Sequence, residues 1–153
     1  MKKYLKKIAL VLFILFIIIQ FYQPARNVDN GQVLPVAFTE VYNVPKNVEN
    51  ILRTSCYDCH SNNTNYRWYD LVQPSRLFVD HHIKKAKEEL NFNEFGSYSQ
   101  RKQKNKLDRI SKQVKAGKMP LPSYLLMHSN AKLSDDDKQQ IINWVETRLK
   151  QNE

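Results

Sequence analysis

The residues best suited to chemistry lie in one short stretch, Cys56-Tyr57-Asp58-Cys59-His60. It reads C-x-x-C-H, two thiols three positions apart with an imidazole directly after the second. That spacing is the attachment signature of a c-type haem. The thiols can add across the two vinyl groups of the macrocycle, and the histidine is placed beside the iron as a proximal ligand. The chain has only these two cysteines, so neither is left over for another job.

Two rival chemistries use the same residues. A structural zinc site would need Cys56, Cys59, His60 and a further histidine, but no second C-x-x-C occurs and a third ligand abutting the second cysteine is poor tetrahedral spacing. A thioredoxin-like dithiol would need a βαβ context that the sequence lacks.

A second ligand for iron is sought downstream. Met119 stands in Gly117-Lys118-Met119-Pro120-Leu121-Pro122. Methionine is a soft thioether ligand, and Met/His ligation raises the reduction potential of a haem. Pro120 and Pro122, which follow it, stiffen a loop that could hold the sulfur toward iron. Met127 and His128 are the competing distal ligands. His81 and His82 are adjacent on an expected helix, about 100° apart, so at most one could face an iron, and second-shell or exposed positions suit them better. Trp68 and Tyr69 are candidates for lining the macrocycle, with ordinary core packing the alternative for Tyr69.

Helices must carry these residues. Val48, Ile51 and Leu52 share one face of a helix that opens near Pro45 and runs into Cys56. Pro74-Ser75 opens another, to about Leu90. Ser97 or Ser99 caps a third, which carries Leu107, Ile110 and Val114 and stops at Gly117. Ser134 followed by three aspartates starts a closing helix with the stripe Ile141, Trp144, Val145 and Leu149. That helix is expected to cross the one leading into the motif.

The N-terminus differs from all of this. Residues 8–19 are an unbroken apolar run behind Lys2, Lys3, Lys6 and Lys7. With Tyr4 and Tyr22 as interfacial aromatics and the lysines snorkelling, residues 4–22 are expected to form a transmembrane helix. No small-residue cleavage site follows, which favours an uncleaved signal-anchor over a secretory signal peptide. The expected division is an anchor over 1–22, an extended linker over 23–45 and a helical domain over 46–153. The charged end stays in the cytoplasm and the domain is exported to the periplasm, single-pass in the inner membrane. That compartment suits thiol-linked haem.

Formal charge is +9 over 153 residues, with 24 basic and 15 acidic groups. Residues 84–118 hold 11 basic and four acidic side chains. A solvated face is the plain reading, and a rim that docks an acidic redox partner the sharper one. Three glycines and six prolines exclude collagen-like and low-complexity classes. Nucleic acid is not implied.

Over residues 47–144 the chain resembles the single-haem haem-binding domain family of exported bacterial proteins, a relative of class I cytochromes c. The residues that carry the likeness are Cys56 to Asn62, Trp68-Tyr69, Pro74, Asn91-Phe92, Gly117-Lys118-Met119-Pro120, Tyr124, His128 and Trp144. Arg67, Arg76, Leu77 and Phe95 depart from the family's usual residues. The resemblance implies an all-α, cytochrome c-like domain with one covalent haem c on Cys56 and Cys59, and iron between His60 and Met119. With His60 and Met119 filling both iron positions, an electron carrier is expected rather than an enzyme. The alternative is a peroxidase-like enzyme or a redox or gas sensor with an open or labile distal position.

Overall fold

The computed structural model describes residues 2–30 and 37–151, and among these every regular element is helical. The helices are α1 (Lys2–Gln20), α2 (Phe38–Tyr42), α3 (Lys46–Ser55), α4 (Tyr57–His60), α5 (Ser75–Glu89), α6 (Gln100–Lys115), α7 (Pro122–Leu125) and α8 (Asp135–Gln151). Short 3-10 turns lie at Trp68–Leu71, Phe95–Ser97 and Ser129–Ala131. The expected all-α class is met.

The two longest domain helices, α6 and α8, pack against each other, and α3 packs on α8. Each is amphipathic for a visible reason. Leu107 and Val114 of α6, Ile141 and Val145 of α8, and Val48 and Leu52 of α3 recur at helical spacing and are buried, while Asp108–Lys112 and Lys115–Glu146 ion pairs occupy the outer faces. Caps set the ends. Ser99 Oγ accepts the Lys102 N–H at the start of α6, and Gly117 takes φ +62° just past its end. Ser134 and Asp137 bond reciprocally at the start of α8. Fully burying a side chain such as Leu107 or Ile141 contributes about 1.5–3 kcal/mol.

Part of the expected linker belongs to the core. Phe38 in α2 is fully buried, and its ring meets those of Tyr42, Phe92, Phe95 and Trp144 edge-on at 4.8–5.6 Å between centroids. A five-residue helix has too little periodicity to be read from sequence, and Phe38 earns its place through non-local aromatic contacts. Further upstream, Asn27 Nδ2 donates to the Ser61 carbonyl at 2.8 Å and Thr64 Oγ1 at 2.9 Å, and Thr64 N–H donates to the Asn27 carbonyl. Residues 31–36 of the same stretch lie outside the described residues.

The expected transmembrane helix needs correction. α1 forms, and none of its residues is buried against the domain. Among the described residues, however, no helix is long and apolar enough to cross a membrane. Lys2, Lys3, Lys6 and Lys7 occupy its first turns, leaving the apolar run of 8–19 to cover only about 18 Å at about 1.5 Å per residue. A bilayer core is about 30 Å thick. The last turn of α1 is tied to the domain. Gln20 Oε1 accepts the Gln73 N–H at 2.9 Å, Gln73 Nε2 donates to the Tyr22 carbonyl at 2.7 Å, and Gln23 Nε2 donates to the Leu71 carbonyl at 3.2 Å.

Candidate functional site

The motif sits where α3 ends and the single turn of α4 begins. Cys56 closes α3, with its N–H on the Leu52 carbonyl at 2.8 Å, and Cys59 and His60 donate back to the Cys56 carbonyl at 3.2 and 3.0 Å. Two outside elements then lock it. Asp58, inside the motif, accepts Tyr124 Oη–H at 2.8 Å and the Asn65 N–H at 3.2 Å, while its carbonyl accepts Thr64 Oγ1–H at 2.6 Å. The Asn91-Phe92-Asn93 segment straps the far end. Phe92 N–H donates to the His60 carbonyl at 2.8 Å, and Asn93 Oδ1 accepts the Asn62 N–H at 2.8 Å.

His60 is held in one orientation. Its Nδ1 faces the carbonyls of Ala86 and Leu90 at 3.1 and 3.0 Å. Carbonyls only accept, so Nδ1 carries the proton. Nε2 then keeps its lone pair and has no hydrogen-bond partner among the described residues. Burial pushes the imidazole below its ordinary pKa, and the two carbonyls only partly oppose this. The ring is therefore neutral, with the Nε2 lone pair available.

The cysteines are not joined to each other. Burial lifts Cys56 to about 12, helped by Cys59. Burial also lifts Cys59 to about 11, helped by Asp58 and Asp70. Reactive dithiols work through a depressed pKa, so these thiols do not suit disulfide exchange. Nor do three or more His, Cys, Asp or Glu side chains converge as metal ligands among the described residues, so the rival zinc arrangement is not assembled.

Two cavities flank the motif. One, of about 230 Å³, is lined by Cys56, His60, Met119, Leu52, Phe92 and Ile110, among others. It brings together the expected proximal and distal ligands from positions 59 residues apart. The other, of about 160 Å³, is lined by Cys59, Tyr69, Phe78, Leu121, Met127 and His128, among others. The loop that carries Met119 into the first cavity carries Leu121 into the second.

The competing ligands fall in the second cavity and are differently placed. His128 is buried, stacked on Tyr124 with ring centroids 4.0 Å apart. Its Nε2 lies 3.0 Å from Tyr69 Oη, and its Nδ1 lies 3.2 Å from the Tyr124 carbonyl. Both nitrogens are engaged within the protein. Met127 is 55% exposed. His82 also lines the second cavity, with Nδ1 bonded to the Phe78 carbonyl of its own helix at 2.8 Å, and His81 is exposed.

Trp68 departs from expectation. It is 75% exposed and lines neither cavity. The 3-10 turn buries Asp70, whose carboxylate caps the Arg67 N–H at 2.7 Å, and this turns Trp68 outward. Arg76, at a position that departs from the family pattern, is fully buried. It pairs with Asp80 at 2.6 Å and donates to the Pro24 carbonyl at 3.0 Å.

The model of a haem-binding domain matches residues 14–147 of this chain. The chain belongs to that family. No curated protein and no solved structure matches it. A haem is thus the ligand of this haem-binding domain, and the donor set fits one: a neutral imidazole with a free nitrogen, a thioether lining the same cavity, and two protonated thiols, one lining each cavity.

Asn27 and Phe38 were not legible as contributors to this site. Nothing near them in sequence marks a binding residue, and both act through contacts more than 30 residues away. Asp58 gave a weak signal, since a carboxylate inside the motif is well placed to steady it.

Proposed function

We propose that this haem-binding domain is a membrane-anchored, c-type monohaem protein that carries electrons outside the cytoplasm. The observation that supports it most is His60: one nitrogen tied to two backbone carbonyls, the other without a partner, and the ring lining the cavity that also holds Met119 and Cys56. When bound, haem supplies a one-electron iron couple.

Cys56 and Cys59 would hold the macrocycle through thioether bonds, and His60 and Met119 would supply the nitrogen and sulfur ligands to its iron. Leu52, Phe92 and Ile110 exclude water from the face they line. Tyr69 serves the wall of the neighbouring cavity and steadies His128. A peroxidase-like role would want an acid–base group free to act. His128 is spoken for by Tyr69 and Tyr124, which favours electron transfer. The basic residues of α5 and α6 form the docking surface for an acidic redox partner. α1 embeds in the membrane with its lysines at the polar boundary.

The test is a reduced pyridine haemochrome spectrum of the full chain, made in cells with a haem maturation system and stripped of loose haem with acidified solvent. A c-type spectrum retained on the protein is expected. Haem that extracts completely overturns covalent attachment.

A further inference from the structure

Among the described residues beyond residue 28, the large apolar side chains that folding leaves in solvent fall in a few segments that meet. Leu126 is 83% exposed, Trp68 75% and Phe78 56%, with Met127, Val72 and Leu77 also exposed. Phe78 and Met127 line the same cavity, so the start of α5 and the end of α7 meet there. Trp68 touches Tyr69 of that cavity edge-on at 5.7 Å. Val72 and Leu77 bracket Gln73, the residue bonded to Gln20 and Tyr22 at the end of α1. Through Val72 and Leu77 the patch reaches the point where α1 joins the domain.

We propose that this face rests in the interfacial layer of a lipid bilayer, with Trp68 at headgroup level and Phe78, Leu126 and Met127 beneath it. The inference rests on the reading of α1 as a membrane anchor. α1 buries none of its residues against the domain, so it needs an apolar phase along its length. Gln20 and Gln23 fix its last turn to Gln73 and Leu71, so whatever phase covers α1 extends to the patch beside it. Tryptophan is enriched at such boundaries. The face would hold the haem-binding domain at the surface in one orientation, leaving the basic α6 toward water.

The experiment uses the full haem-loaded chain in phosphatidylcholine–phosphatidylglycerol vesicles whose acyl chains carry a diazirine. After illumination, lipid adducts are mapped by mass spectrometry. Adducts are expected on α1 and on peptides containing Trp68, Phe78 and Leu126, and not on α6 or α8. In the double variant Trp68→Ser, Leu126→Glu the adducts on the face are lost while those on α1 persist. Adducts confined to α1 in the unmodified chain overturn the inference and leave the anchor intact. Adducts on neither overturn both. Adducts spread equally over α6 and α8 also overturn the inference, because they show no preferred face.

Discussion

Each of the two cavities beside the motif has a methionine in its wall, with His60 in the first and His82 and His128 in the second, yet they are built for different tasks. In the first, His60 is oriented through one nitrogen and keeps the other free, and Met119 shares its cavity. In the second, His128, Tyr69 and Tyr124 satisfy one another and Asp58. The first set is left with bonding capacity to offer. His128, Tyr69 and Tyr124 have turned their capacity inward, to hold the motif's own loop in place. A ligand residue is thus recognised less by its type than by what its surroundings leave unbonded.

The largest expected effect is at the thiols the two cavities divide between them. Cys59→Ser in the full chain should lose normal two-thioether attachment, read as most of the haem becoming extractable and the haemochrome band shifting. Next is the first cavity's own ligand. Met119→Ala should keep haem bound but lower its potential, by a fraction of the roughly 0.8 V that axial ligands command; potentiometric titration reads this, and an unchanged potential would count against Met119.

The second cavity should respond in stability instead. His128→Ala removes a buried ring and strands Tyr69 Oη, so thermal or urea unfolding should show a loss of about 3 kcal/mol with an unchanged haem spectrum. A changed spectrum would make His128 a ligand and erase the distinction between the cavities. The smallest effect is expected from Tyr124→Phe. It removes one hydrogen bond to Asp58, a loss of about 1 kcal/mol, visible as faster hydrogen exchange of the Asn65 amide.

The legible parts were those coded locally. The cap at Ser99, the stop at Gly117 and the stripe from Ile141 to Val145 each specify their structure within one or two turns, and each is found as expected. What was not legible depends on distant partners. Phe38 lies in a stretch that reads as linker but meets rings more than 50 residues away. Arg76 is a charged residue that departs from the family pattern, yet it is buried, paired with Asp80 and the Pro24 carbonyl. Trp68 has the composition of a pocket residue, yet the turn that buries Asp70 points it outward. Hydropathy identified α1 as apolar, but the lysines in its first turns shorten the run below a full crossing.

The most direct test of the two-cavity distinction is the far-red thioether–iron absorption band of the oxidised, haem-loaded chain, compared across Met119→Ala and Met127→Ala. The expected result is a band in the unmodified chain that disappears in the first variant and persists in the second. A band that survives Met119→Ala, or is lost with Met127→Ala, would place the sixth ligand in the other cavity and contradict the assignment.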